Sequence, residues 1–425
     1  MKISKKVMGC VSVAVLAAGL LIGCGSKEQE LVEITLMHGW GGTESDSFAM
    51  RGIYKDFEKE NPDIRLNLLS LPSTDEVINK TQDLLSVGEI PDMIFAGGGD
   101  ASALYRFMVE KDYAVDLMPY LEEDEEFKKC IPETVLNYWT TEDDRLFTLA
   151  DVLLICGYWY NEDILQKTGI ETLPSTWEEF EESCRKIRSW SEQSGEEIYP
   201  FMMDAEHIVY LTDVLMSGES EESLKMVQEG SFNLEGEDFR LALRRLKNLY
   251  QYSEEVEKGY SYRDTLESFN NGTTAFYING VWANSRIKEN IPAEYAAYPS
   301  EIGKSIGCIS ASIGYIVGNT GDEEKKDACI RFLKYMLSEP TQVRILEETG
   351  QVPSNPFVNI SDYEKENYRL FQAVERVKQA DAAIEMPMNL WDFDTKQIYS
   401  DNIFDYLQGK QSEDSIIGKL KETGK

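Results

Sequence analysis

From Leu31 to Asp100 the chain alternates short apolar runs with amphipathic stretches, and this alternation restricts the fold more than any other feature. Leu31-Val32-Glu33-Ile34-Thr35-Leu36-Met37 has the spacing of a strand, and Gly41-Gly42 ends it. A helix is predicted over Ser47 to Asn61, with Ile53 and Phe57 on one side and Pro62 as its stop. Ile64 to Leu69 reads as a second strand, Glu76 to Val87 as a second helix, and Pro91 to Ala96 as a third strand before Gly97-Gly98-Gly99-Asp100. Strand, helix, strand, helix, strand is the order of a parallel α/β sheet covered by helices. Ligands of such sheets sit at the carboxyl ends of the strands, where Trp40 and Asp100 both fall.

Farther along the chain, helical signals dominate. Thr176-x-x-Glu179 has the capping-box pattern and starts a helix running towards Trp190. Apolar residues 239, 243, 246 and 250 form a helical stripe within Phe239 to Tyr252. A last regular helix is predicted over Lys325 to Leu337, with Pro340 ending it. No internal repeat, low-complexity stretch or second membrane segment is found.

The N-terminus gives the location. Lys2, Lys5 and Lys6 precede an apolar run from Val7 to Gly23, which has the basic start and apolar core of a secretory signal. The run is shorter than the roughly 20 apolar residues of a membrane span. Leu21-Ile22-Gly23-Cys24 ends it in the pattern of a bacterial lipoprotein signal, in which the Cys24 thiol takes lipid. The other reading is an ordinary secretory peptide with an incidental cysteine. On the first reading residues 1–23 are removed, residues 24–30 are a tether, and the protein stands on the extracytoplasmic face of the cell membrane.

Charge excludes several partners. Removing residues 1–23 takes three lysines and no acid, so the net charge of −34 becomes −37. So acidic a surface repels the phosphates of nucleic acid and of anionic lipid. The remaining length suits two domains. Cys130, Cys156, Cys184, Cys308 and Cys329 form no Cys-x-x-Cys pair and read as small buried residues.

No catalytic constellation appears. His38 and His207 are the only histidines, too few for a histidine-rich metal site. There is no Gly-x-Ser-x-Gly elbow and no phosphate loop of the Gly-Lys-Ser/Thr type. Neither a cofactor nor a metal is called for. A glycosidase carboxylate pair is neither identified nor ruled out among so many acids.

Seven segments together resemble the carbohydrate-binding branch of the extracellular solute-binding proteins that feed bacterial ABC importers. They are Phe57–Ile64, Gly88–Met93, Trp159–Leu165, Leu173–Phe180, Phe269–Phe276, Ile278–Trp282 and Thr349–Asn355, in the family order behind the lipoprotein motif. Maltose-binding protein is a distant relative of the same kind. The resemblance implies two α/β lobes of the periplasmic-binding type, joined by strands that cross between them and closing on ligand like a hinge. It implies crossings near Leu149–Leu153, Cys308–Ser312 and Gly350–Ser354. Lobe 1 would then hold residues 31–150 and 312–350, and lobe 2 residues 151–311 and 351–425.

The implied function is a monomeric receptor that passes a sugar or short oligosaccharide to the transmembrane permease subunits of an ABC transporter. A cationic solute such as a polyamine, or a surface glycosidase, are the alternatives. Aromatic rings suit the flat C–H face of a sugar, and carboxylates suit its hydroxyls. Trp282 matches the family segment whose tryptophan stacks on sugar; the competing reading is a core tryptophan at a helix start. Trp40, in His38-Gly39-Trp40-Gly41-Gly42, is a second candidate. Trp391 corresponds to a region where the maltose-binding relative has a stacking tryptophan, with core packing as the other reading. Asp100 and Asp151 are candidate hydroxyl acceptors, and Asp204, Glu206 and His207 follow by position alone. Trp159 and Trp177 are read as structural.

Overall fold

A computed structural model describes residues 31–97, 101–203, 208–253, 260–385, 391 and 393–421. Its strands are β1 (Val32–His38), β2 (Ile64–Ser70), β3 (Met93–Phe95), β4 (Val152–Asn161), β5 (Tyr199–Phe201), β6 (Thr274–Gly280), β7 (Ala293–Ala296), β8 (Ile306–Ala311), β9 (Tyr315–Val317), β10 (Val352–Pro353) and β11 (Ala382–Ile384). Between β1 and β2 lies α1 (Ser45–Glu60), and between β2 and β3 lies α2 (Thr74–Ser86). The opening strands and helices thus stand within about two residues of their predicted bounds.

The first sheet has the order β2-β1-β3-β9. β1 runs parallel to β2 and β3, in register Val32 to Ile64 and Leu36 to Met93, while β9 is antiparallel to β3. Met50, Ile53, Tyr54 and Phe57 of α1 are buried in one core with Ile34 and Leu36, the apolar face that the 3.6 spacing marks.

The second sheet has the order β11-β8-β4-β6-β5, with β7 and β10 also on β4. β4 is covered on both faces, so its residues form two cores by alternation. Cys156 and Tyr158 belong to one, Ile155 and Trp159 to the other. Gly157 sits between them, where an added Cβ would lie 2.1 Å from the Ala296 carbonyl oxygen; only glycine lets β7 approach.

The chain passes between the sheets at three places. Leu149 bridges Tyr315 of the first sheet just before β4 begins in the second. β8 ends at Ala311 in the second sheet, and β9 starts at Tyr315 in the first. The third passage is β10, which pairs Val352 with Leu153 and Pro353 with Val152.

Two local expectations change. Thr176 Oγ1 caps its helix by accepting from Glu179 N at 3.1 Å, but the Glu179 carboxylate accepts from the Ser175 amide and hydroxyl, one residue earlier than the reciprocal bond of a capping box. Pro340 stops nothing: the preceding helix already ends at Met336, and Pro340 lies in the first turn of helix Glu339–Thr349. Proline is favoured there because a first-turn amide needs no partner. The five described cysteines are free thiols, and all but Cys130 are buried.

Candidate ligand-binding cleft

The loop after β1 is shaped by glycine. A Cβ on Gly41 would stand 2.4 Å from the Leu71 carbonyl oxygen, and one on Gly39 2.9 Å from the Ser73 carbonyl carbon. The loop therefore lies against the backbone after β2 and projects Trp40. Three further bonds hold the loop at Trp40 and Gly42. The Trp40 amide donates to His38 Nδ1 at 3.1 Å, and Arg51 donates to the carbonyls of Trp40 and Gly42, the latter at 3.0 Å. His38 Nδ1 must therefore be unprotonated. Burial, helped by the nearby Arg51 charge, lowers the His38 pKa to about 4 and keeps the ring neutral. The Trp40 ring packs beside Phe95 with centroids 5.8 Å apart, and its Nε1 is buried with no partner among the described residues.

Trp282 comes from the other sheet. β6 ends at Gly280, and residues Val281–Ser285 form a 3₁₀ turn. A Cβ on Gly280 would lie 2.1 Å from the Trp282 ring, so the indole folds back over a position that must be glycine. Trp282 is half-buried and rests on the second-sheet core.

Trp40 and Trp282 line the same cavity, of about 410 Å³, between the two sheets. Its floor is made by the crossing strands through Val152–Leu154, Ser312 and Val352. The structure therefore brings together residues 242 positions apart in sequence. Asp151 lies next to this floor and is fully buried. Its Oδ2 accepts from Tyr315 Oη at 3.1 Å, and Tyr315 Oη meets Tyr54 Oη at 3.0 Å. Burial raises the Asp151 pKa to about 7, against the opposing hydrogen bond from Tyr315. Asp151 Oδ1 and Ser312 Oγ are buried without partners among the described residues. Asp151 is thus not among the residues that line the cavity; its floor carries Ser312 and Gln351 between two aromatic walls, and rings suit the C–H face of a sugar as polar groups suit its hydroxyls.

Trp391 is not part of this cavity. It is 0% exposed in the second-sheet core, packed on Phe232 and Tyr399, and its Nε1 donates to both carboxylate oxygens of Asp213 at 2.9 and 3.0 Å. A ring held on its faces and edge has no surface for a ligand, so the core reading replaces the stacking one. Trp159 and Trp177 are buried as expected. Asp100, Asp204, Glu206, His207 and Cys24 lie outside the described residues.

Asp46, Tyr262 and Arg286 are among the cavity residues that escaped the sequence reading. Arg286 stands directly after the 3₁₀ turn that carries Trp282, a place that no local sequence pattern marks. A larger cavity of about 570 Å³ opens beside β7 and helix Tyr368–Lys378. It belongs to one side of the molecule alone. Its arginine, Arg369, is already occupied by Asn284 and by the Asn284 and Ile287 carbonyls. The cavity between the sheets is therefore the better candidate, although it is the smaller.

Among the described residues no three His, Cys, Asp or Glu side chains are grouped to hold a metal, and no helix is long and apolar enough to cross a membrane.

The family model described as bacterial extracellular solute-binding protein matches residues 52–368. The chain belongs to this family. Among relatives of this solute-binding protein, the multiple sugar-binding protein of Streptococcus mutans is 25% identical over 385 residues, covering 84% of this chain and 83% of the relative. A putative ABC transporter periplasmic-binding protein of Escherichia coli is 22% identical over 328 residues, covering 76% and 73%. Among solved structures, a Streptococcus pneumoniae solute-binding protein in complex with the blood group A-trisaccharide superposes with a TM-score of 0.78 at 22% identity, covering 92% of this chain and 98% of that one. Maltose-bound MalE3 of T. maritima gives 0.73 at 17%, covering 92% and 98%. The solute-binding protein shares their two-lobe fold, and its relatives are binding proteins by name.

Proposed function

We propose that this protein is a lipid-anchored extracytoplasmic receptor that binds a sugar or short oligosaccharide between its lobes and delivers it to an ABC permease. The observation that carries the reading is the pair Trp40 and Trp282, rings from two sheets lining one cavity over the crossing strands. Names of relatives that bind sugars support it. The lobes are 31–150 with 312–350, and 151–311 with 351–425, and the three crossings are the hinge. Closure around ligand biases an open–closed equilibrium, and the closed form docks on the permease. Cys24 carries the lipid.

The cationic alternative needs a cleft dominated by Asp and Glu without stacking tryptophans. The described lining instead has two tryptophans and sets Arg263 and Arg286 beside one carboxylate, Asp46. A glycosidase needs two carboxylates flanking the sugar; here Asp46 is already bound to Arg286.

Thermal shift of residues 25–425 against saccharides, polyamines and amino acids tests the reading. Ligand at 100 times its dissociation constant adds about 2.7 kcal/mol of stability. A shift with one sugar class, lost in Trp282→Ala, is the expected result. A response to cationic solutes alone overturns the sugar assignment.

A further inference from the structure

Asp46 and Arg286 stand 240 positions apart and come from opposite sides of the cleft. Asp46 is in the first turn of α1, whose apolar face packs into the first-sheet core. Arg286 follows the 3₁₀ turn that carries Trp282. Arg286 Nε donates to Asp46 Oδ2 at 2.9 Å, and Nη2 reaches the same oxygen at 2.8 Å. The Asp46 side chain is 5% exposed and that of Arg286 27%, and the Tyr262 ring lies 5.5 Å from the guanidinium carbon. All three residues line the cavity together with Trp40 and Trp282.

The pair joins the two sides of the cleft, so moving them apart would part it and return both groups to water. When they meet, each becomes the other's counter-ion, and a buried ion that loses its partner is strongly unfavourable. Glu44, just before α1, adds a second negative charge that acts on both Arg286 and Arg263. In a chain of net charge −34, the described cavity wall is instead close to charge balance.

We propose that Asp46 and Arg286 form a clamp that joins as the lobes close and makes the cleft select uncharged saccharides. The proposal rests on the reading of the cleft as a sugar site and adds the substrate class and two specificity residues. A ligand carboxylate beside Arg286 competes with Asp46 and leaves it facing another anion. A ligand ammonium competes for Asp46 and faces Arg286. A hydroxyl is donor and acceptor at once and bonds to either partner without breaking the pair.

Calorimetric titration of the mature chain tests this, using a panel of neutral mono- to tetrasaccharides, trigalacturonate as the acidic probe and triglucosamine as the cationic one. Wild type is expected to bind a neutral saccharide at least tenfold more tightly than either charged probe. Asp46→Asn and Arg286→Gln are each expected to lose at least tenfold in affinity for that saccharide. Asp46→Asn gains trigalacturonate binding, because the freed guanidinium donates to the ligand carboxylate. The exchanged variant Asp46→Arg with Arg286→Asp recovers most of the neutral affinity, a rescue that separates the clamp from damage to folding. The clamp is overturned if wild type binds trigalacturonate as tightly as the neutral saccharide, a comparison that needs no variant. It is equally overturned if both single variants keep wild-type affinity within twofold; the sugar receptor then stands without it. Silence from the whole neutral panel overturns the sugar reading itself.

Discussion

Replacing Asp151 by Asn should remove a pH dependence of stability whose size follows from the structure. Asp151 is fully buried where the chain enters the second sheet, and burial lifts its pKa from 3.8 to about 7. Between these values the native carboxyl keeps a proton that the unfolded chain has released. The folded value is the raised one, so this contribution is complete below about pH 3.8 and is lost as pH rises to about 7. Linkage makes the loss between pH 5 and pH 8 about 2.5 kcal/mol. His38 works in the opposite sense. Its folded pKa of about 4 lies below the free value of 6.5, so its contribution is present above pH 6.5 and lost as pH falls towards 4. Over the same span it amounts to about 2 kcal/mol, and these two contributions to the wild-type profile nearly cancel. The informative quantity is therefore the difference between wild type and Asp151→Asn, from equilibrium urea unfolding at pH 5 and pH 8. Any fixed cost of the new amide is the same at both pH values and drops out. The wild-type advantage should shrink by about 2.5 kcal/mol on going to pH 8. A difference constant to within about 0.5 kcal/mol would refute the argument that burial controls this carboxyl.

Two further substitutions test the packing that positions the cleft. Trp391→Phe removes the two Nε1–H hydrogen bonds to the buried Asp213 carboxylate and should cost about 1–3 kcal/mol in urea unfolding while leaving ligand affinity unchanged; reduced affinity with unaltered stability would return Trp391 to the binding site. Gly157→Ala drives a Cβ into the Ala296 carbonyl and should cost about 3 kcal/mol or more by separating β7 from β4, so an unchanged melting temperature would show that the strands are not so tightly apposed.

Local pattern made the first sheet legible because strand and helix periods report which face of each element is apolar, and β1, α1, β2, α2 and β3 lie within 64 consecutive residues. The same pattern could not separate Trp282 from Trp391. Their fates differ by what surrounds them: a cavity wall for one, Asp213 and Tyr399 for the other. Asp46 was hidden as one more acid in a chain that has 76.

By itself, then, the sequence determined the acidic balance, the opening α/β units and, through seven ordered segments, the two-lobe family. Tertiary structure alone decided that Trp40 and Trp282 line one cavity, that Trp391 is core, and that Asp46 meets Arg286. The reason is range. Periodicity and capping act over a few residues, whereas these contacts join positions more than 170 apart and exist only once crossing strands have brought two sheets together.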